Sequence, residues 1–189
     1  TDSFVATGSG TSAQDNNGHG THVGGIVAAR NNTIDVVGVA PEATLYAVKV
    51  LDAAGNGSDA TVMAGLNWVA ANHTAVVPNI YVVNMSLGRA GTLNDNSILR
   101  TTVQTLAQMG ITVVVAAGND CSLEVSQQVP ATYPEVIAVA STTAITGTSA
   151  DRRYTPIVAD SASYFTTDGA YIDPSAGGTG IGVTISGPG

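Results

Sequence analysis

Two short apolar runs, residues 111–116 (ITVVVA) and 136–140 (VIAVA), constrain the fold of this chain more than any other feature. Both are rich in β-branched residues and neither alternates cleanly with polar ones, so each reads as a strand buried on both faces. Residues 80–84 (IYVVN) read the same way, and residues 44–50 (TLYAVKV) carry a further strand signature. Between these runs the spacing becomes helical. Ser58 is placed to cap a helix in which Val62, Leu66 and Val69 share one buried stripe, flanked by Met63 and Trp68. Over residues 94–109, Ile98, Thr102, Leu106 and Met109 keep helical spacing until Gly110 stops the helix. Buried strands separated by amphipathic helices predict an α/β fold with a mostly parallel sheet.

From about residue 141 the chain turns to Ser, Thr, Gly, Asp and Tyr and ends in VTISGPG. This part reads as loops and short strands on the flank of the sheet. No internal repeat and no linker divides residues 1–189, which therefore read as one domain. The chain is long enough for a sizeable core, and with 44% hydrophobic and 11% charged residues it is neither disordered nor a coiled coil.

Charge narrows the partners. The net charge is −8, from 14 acids against 6 bases, and the closest basic pair is Arg152 and Arg153. Binding to nucleic acid or to a membrane surface is not expected of such a chain. The balance suits a secreted, extracellular protein. No apolar run approaches the roughly 18 residues of a membrane span, and no signal peptide opens the sequence. A start at Thr1 without Met reads as a processed or cut product. The lone Cys121 has no partner in the chain, so it is a buried free thiol or half of a bridge to something outside.

The densest chemical signal is residues 15–28, DNNGHGTHVGGIVA. Asn17 and Gly18 form a turn, and His19 then opens a helix containing Val23, Ile26 and Val27. Glycines on both sides of His19 leave its imidazole unshielded, and imidazole is the side chain suited to take and return a proton near neutral pH. His19 and His22 with Asp15 also have the makings of a metal site, although HExxH and cysteine pairs are absent. A plain capping histidine is the third reading. Three further segments stand at strand ends, where parallel α/β sheets bind their ligands. They are residues 113–120 (VVVAAGND), 83–88 (VNMSLG) and the glycine-rich 51–58 (LDAAGNGS). An amide such as that of Asn119 can donate to a developing oxyanion, and an Asn after a Gly is also an ordinary turn residue.

In this order and at these spacings, the segments resemble the subtilase family of serine proteases, bacterial subtilisins above all. DNNGHGTHVGGIVAA resembles the family's histidine motif, GVAPEATLYAVKVL the strand after it, and VVNMSLG and VVVAAGN its substrate-binding and oxyanion segments. The likeness runs from about Gln14 to Thr142, through YPEVIAVAS, and returns at ISGPG. It implies a three-layer α/β/α fold with His19 as general base and Asn119 as the side-chain donor of the oxyanion hole. Gly55, Asn56 and Gly57, with Ser86, Leu87 and Gly88, match the segments that sandwich an extended substrate as a third strand. Ala116, Ala117 and Gly118 match one wall of the pocket for the residue before the cleaved bond, small enough to favour a large uncharged side chain. Asp59 falls where the family often has a bulky residue.

The resemblance also assigns residues 30–36 (RNNTIDV) to a calcium-binding loop, through the carbonyls of Arg30, Ile34 and Val36 and the side chain of Asn32. Calcium takes about six to eight oxygens, and the remaining family ligands lie upstream of Thr1. Two elements of the family are not found. Its aspartate ends a strand well before the histidine, and none of the 18 residues before His19 reads as that strand; neither Asp2 nor Asp15 follows an apolar run. Its serine motif follows a segment like VTISGPG, and the sequence reaches Gly189 first. Gly10, Thr11 and Ser12 lead into the histidine motif and not into an apolar helix.

The resemblance therefore implies a serine endopeptidase represented by a partial catalytic domain, incomplete at both ends and inactive by itself. Its partners are protein or peptide substrates and either a propeptide or the remaining segments of the same protease. The alternatives are a subtilase-like domain that binds peptide without cutting it and a naturally cleaved enzyme with its missing parts on separate chains.

Overall fold

The computed structural model describes residues 3–5, 12–143, 159, 161–163, 165–167 and 184–188. They belong to two compact units, Thr1–Tyr81 and Val82–Gly189. Asp2, Gly10, Thr11, Arg152 and Arg153 lie outside the described residues.

In the first unit, β1 (Ser3–Val5) and β2 (Ala47–Lys49) pair in parallel, Phe4 standing opposite Val48. The sequence showed no strand here, and β1, which ends at Val5, is not the aspartate-ending strand that was sought. Three residues are too few to show a period, and it is pairing with β2 that makes them a strand. Helix α1 (His19–Ala28) follows, and α2 (Asp59–Asn72) packs beside β1. Its start is the one expected. The Ser58 hydroxyl accepts the N–H of Thr61 at 3.2 Å and the Thr61 hydroxyl accepts the N–H of Ser58 at 3.0 Å, a reciprocal capping box. Val62, Leu66 and Val69 are buried as their spacing predicts.

The second unit is built on four parallel strands in the order β3-β5-β7-β8, namely Val82–Met85, Thr112–Ala116, Ile137–Thr142 and Ile185–Pro188. Two pieces, β4 (Arg89–Ala90) and β6 (Gln128–Val129), pair antiparallel beside them, a feature that the sequence did not announce. The ITVVVA and VIAVA runs become β5 and β7, with Val113, Val115, Ala138 and Ala140 buried. The IYVVN run does not become a buried strand. β3 is the edge of this sheet among the described residues, and Val82 is 57% exposed.

Helix α3 (Ser97–Gln108) packs on β5. The Asn96 side chain caps it, accepting the N–H groups of Ile98 and Leu99 at 3.1 and 3.0 Å. Its buried stripe is Leu99, Val103 and Leu106, exposed by 2%, 0% and 0%, whereas Ile98 is 67% exposed. The sequence reading placed Leu106 correctly but took Ile98 and Thr102 where Leu99 and Val103 are buried, since Ile98 and Leu99 both fit a helical period, and Met109 is 44% exposed. Arg100 reaches Glu135 ahead of β7, Nη2 to Oε1 at 3.1 Å, and Gln104 donates to the same oxygen at 2.7 Å. Burial alone raises the Glu135 carboxyl, but the hydrogen bonds from Arg100 and Gln104 outweigh it and hold the group below its usual pKa. Leu106→Ala is expected to lower unfolding stability by about 2–5 kcal/mol, and Ile98→Ala to change it by less than about 0.5 kcal/mol. Denaturant titration of the two variants checks the corrected stripe, and equal losses contradict it.

Candidate active site

His19 is the first residue of α1, and Gly18 before it is a left-handed N-cap at φ +102° with no side chain to offer the helix. That role passes to Asp15. Its Oδ1 accepts the N–H groups of Asn17 and Gly18, both at 2.9 Å, and its Oδ2 accepts the N–H and hydroxyl of Thr21 at 2.8 and 2.7 Å. The Gly18 N–H first, then the Thr21 hydroxyl and the N–H groups of Asn17 and Thr21, hold the Asp15 carboxyl well below the usual carboxylate range. A carboxylate here also complements the positive end of the helix dipole. Asp15 is thus committed to the helix start, and no three His, Cys, Asp or Glu side chains form a metal cluster among the described residues.

His19 and His22 are both exposed. Two contacts that sequence reasoning missed fix the turn before them. The Lys49 ammonium at the end of β2 donates to the Gln14 carbonyl at 2.7 Å and to Asn16 Oδ1 at 2.6 Å. Asn17 Nδ2 donates to the Ala53 carbonyl at 3.2 Å, which joins the histidine turn to the glycine-rich loop. In that loop Asp52 Oδ1 accepts the N–H groups of Ala54 and Asn56 at 2.9 Å, and Gly55 has φ +80°. Gly55 is half-buried, and Asn56 and Gly57 are exposed. The histidine and the Gly55–Asn56–Gly57 segment are therefore held together within the first unit.

Residues 30–36 are exposed and loop out from the end of α1. The loop is closed at its base by Gly38 N–H donating to the Ala29 carbonyl at 2.9 Å, and Asn32 Oδ1 accepts the N–H of Ile34 at 2.8 Å. The carbonyls of Arg30, Ile34 and Val36 accept no backbone hydrogen bond among the described residues. Uncommitted oxygens on one exposed loop are the donor set that a hard cation takes.

In the second unit β3 runs out into Ser86, Leu87 and Gly88. The first two are half-buried and Gly88 is exposed, and Asn84 Nδ2 donates to the Ser86 hydroxyl at 3.0 Å. β5 ends at Ala116, which is half-buried, and Ala117 is 1% exposed. Gly118 then turns the chain at φ +118°, where a Cβ would stand 2.6 Å from the Thr167 hydroxyl and 3.1 Å from Gln128 Cδ. Asn119 is exposed on this turn, and its amide has no partner among the described residues. Thr167 holds the turn on both sides of it: its N–H donates to the Gly118 carbonyl at 3.0 Å, and its hydroxyl accepts the Asp120 N–H at 3.1 Å and donates to the Asp120 carbonyl at 3.0 Å. The Asp120 carboxylate bonds the Ser122 hydroxyl and N–H, in that order of effect, and its pKa falls accordingly. Cys121 is an exposed free thiol, not the buried one that was expected, because it rides on this outward turn.

Gln128 and Thr167 gave no signal in the sequence. Thr167 lies 47 residues from Asp120 in a stretch without periodicity, and only the fold brings it there.

Two outcomes follow from this geometry. Gly118→Ala meets both a left-handed backbone and a filled space, and is expected to destabilise the second unit by about 2–4 kcal/mol; an unchanged melting temperature contradicts it. The anchoring of α1 by Asp15 is complete above the ordinary carboxylate value, about 4, and is lost as pH falls below it towards the depressed folded value. A carbon-13 titration of the Asp15 carboxyl should give a midpoint below the ordinary value, and Thr21→Val should move it upwards. A midpoint at the ordinary value contradicts the bonding.

Known proteins resemble this chain in sequence and in fold. Subtilisin E of Bacillus subtilis (strain 168) is 39% identical over 176 residues, covering 92% of this chain and 40% of that protein. The thermostable alkaline protease of Halalkalibacterium halodurans is 47% identical over 139 residues, 74% of this chain and 35% of its own length. The chain thus spans well under half of either relative. A crystal structure of a cold adapted subtilisin-like serine proteinase superposes with a TM-score of 0.71 at 28% identity, covering 100% of this chain and 55% of that one. Residues 3–189 match the Subtilase family (Peptidase S8), and the chain belongs to that family.

Proposed function

We propose that this chain serves the hydrolysis of peptide bonds in a serine endopeptidase. His19 takes the proton of the serine nucleophile and returns it to the leaving amine, and Asn119 donates to the oxyanion of the tetrahedral intermediate. One observation carries this reading: an exposed Asn119 amide without a partner among the described residues, at the carboxyl end of a buried parallel strand, on a turn fixed on both sides. A donor held in place before the charge develops costs no reorganisation when it does. The exposed imidazole of His19, between two glycines, leaves room for a substrate backbone to approach.

Gly55, Asn56 and Gly57, together with Ser86, Leu87 and Gly88, would pair with an extended peptide through main-chain hydrogen bonds. Binding of that kind tolerates many sequences. Ala116, Ala117 and Gly118 would bound the pocket for the residue before the cleaved bond and favour a large uncharged one. A calcium ion on residues 30–36 would take the carbonyls of Arg30, Ile34 and Val36 and the Asn32 side chain, and would stiffen the loop that follows α1. Four oxygens leave at least two ligands to come from elsewhere, on a demand of about six to eight. No described helix is long and apolar enough to cross a membrane. The acidic balance at low charge density suits a secreted enzyme acting on extracellular protein. The nucleophilic serine and its partner aspartate are not assigned to any residue here, so the 189 residues alone are expected to bind peptide and not to turn it over.

The test uses the whole protein and casein. Hydrolysis sensitive to a serine-directed sulfonyl fluoride is expected, with His19→Ala lowering kcat by about 10⁶, the size of that loss in subtilisin itself. Asn119→Ala should lower kcat by about 10²–10³ with KM little changed, again a magnitude carried over from subtilisin. Undiminished turnover in His19→Ala overturns the assignment. For the loop, calcium added after chelation should raise the thermal midpoint, and an unchanged midpoint removes calcium from residues 30–36.

A further inference from the structure

Thr167 is 0% exposed, and three of its hydrogen bonds go to the residues on either side of Asn119, while its carbonyl accepts the Thr166 hydroxyl at 3.3 Å. One buried threonine thus occupies the Gly118 carbonyl and both backbone groups of Asp120. An exposed turn that would otherwise exchange these bonds with water is tied to the interior at two points.

The threonine is itself fixed. Its neighbour Thr166, also buried, accepts the N–H of Ser141 at 3.0 Å, and Ser163 N–H donates to the Ser141 carbonyl at 2.9 Å. The hydroxyls of Ser141 and Ser163 lie 2.6 Å apart, and Thr142 bridges to Ala162. The far end of β7 therefore anchors Ala162, Ser163 and Thr166, and Thr167 beside Thr166 anchors the turn after β5. Beside Thr167 the Gln128 side chain also closes the space a Cβ at Gly118 would take. The Asn119 amide projects from a backbone that is held on two sides and is left free to donate.

We propose that Thr167 is a positioning residue for the oxyanion donor. It fixes the turn of residues 118–120 so that the Asn119 amide is aimed before substrate arrives. This rests on the role proposed for Asn119. An interaction realised only in the transition state raises kcat and leaves ground-state binding alone, so loosening the donor should lower kcat and spare KM. A threonine that merely filled the core would act on stability and not on this split.

The experiment compares Thr167→Val, Thr167→Ser, Asn119→Ala and the Thr167→Val/Asn119→Ala double variant of the whole protein on one peptide amide substrate. Valine keeps the shape without the hydroxyl, and serine restores the hydroxyl. Thr167→Val should lose about tenfold in kcat with KM within about twofold, a part of the loss from removing the donor outright. Thr167→Ser should recover most of it. In the Asn119→Ala background Thr167→Val should cost nothing further, because the donor it positions is gone.

Wild-type kcat in Thr167→Val overturns the proposal, as does a full tenfold loss in the Asn119→Ala background. If Asn119→Ala itself keeps wild-type kcat, the oxyanion reading fails and the role of Thr167 falls with it. If Asn119→Ala loses activity while Thr167→Val does not, only Thr167 is wrong. Should Thr167→Val not fold, amide exchange in the unmodified protein decides. The Asp120 N–H should be protected although the residue is exposed, and exchange at the rate of a free amide contradicts the clamp.

Discussion

β5 pairs with β3 over Thr112–Val115 and with β7 over Val114–Ala116, and α3 packs on it. A strand paired on both edges and buried on alternate residues has little freedom at its end. The pairing persists past the strand itself, since the Ala117 N–H donates to the Val139 carbonyl at 2.8 Å. Only at Gly118 does the backbone leave the sheet, through a left-handed conformation that an L side chain rarely adopts. The position of Asn119 is therefore inherited from the sheet and refined by the bonds to Thr167. Electrostatic stabilisation of a transition state depends on such dipoles being fixed in advance.

The first unit solves the same problem with a charge. Asp15 gathers donors from Asn17, Gly18 and Thr21 and so stands in for the cap that Gly18 lacks. Lys49 and Asn17 then bind the turn to the end of β2 and to the glycine-rich loop. Anchoring falls to side chains here because no residue of α1 is fully buried, which leaves packing a small share in holding the histidine. The two units thus present their chemical groups on outward turns secured by bonds to the backbone on both flanks. In one the bonds come from a titrating carboxylate, and in the other from the backbone N–H of Thr167 at Gly118 and its hydroxyl at Asp120, neither of which responds to pH.

What the sequence displayed was periodic or local. Val62, Leu66 and Val69 announced α2, Ser58 its start, and the two β-branched runs the inner strands, since burial and capping leave their marks within a few residues. The histidine and asparagine motifs were legible for the same reason. Reading failed where a structure depends on a distant partner. Ser3–Val5 is a strand only because β2 is beside it, and IYVVN ends as an edge strand because its apolar content does not say which neighbours it will have. Leu99 and Ile98 are adjacent, and only the packing of α3 on β5 decides which is inside. Thr167 and Gln128 carry no pattern at all, and Lys49, although it lies in a strand run, gives no sign of the turn it will hold.

The most direct measurement is a crystal structure of the whole protein with a peptide boronic acid bound at the nucleophile. The boronate oxygen stands where the oxyanion forms. Asn119 Nδ2 is expected within about 2.7–3.1 Å of it, with the Gly118 and Asp120 backbone still bonded to Thr167. A boronate oxygen facing solvent, or held by other donors with the Asn119 amide turned away, contradicts the assignment of this turn to catalysis.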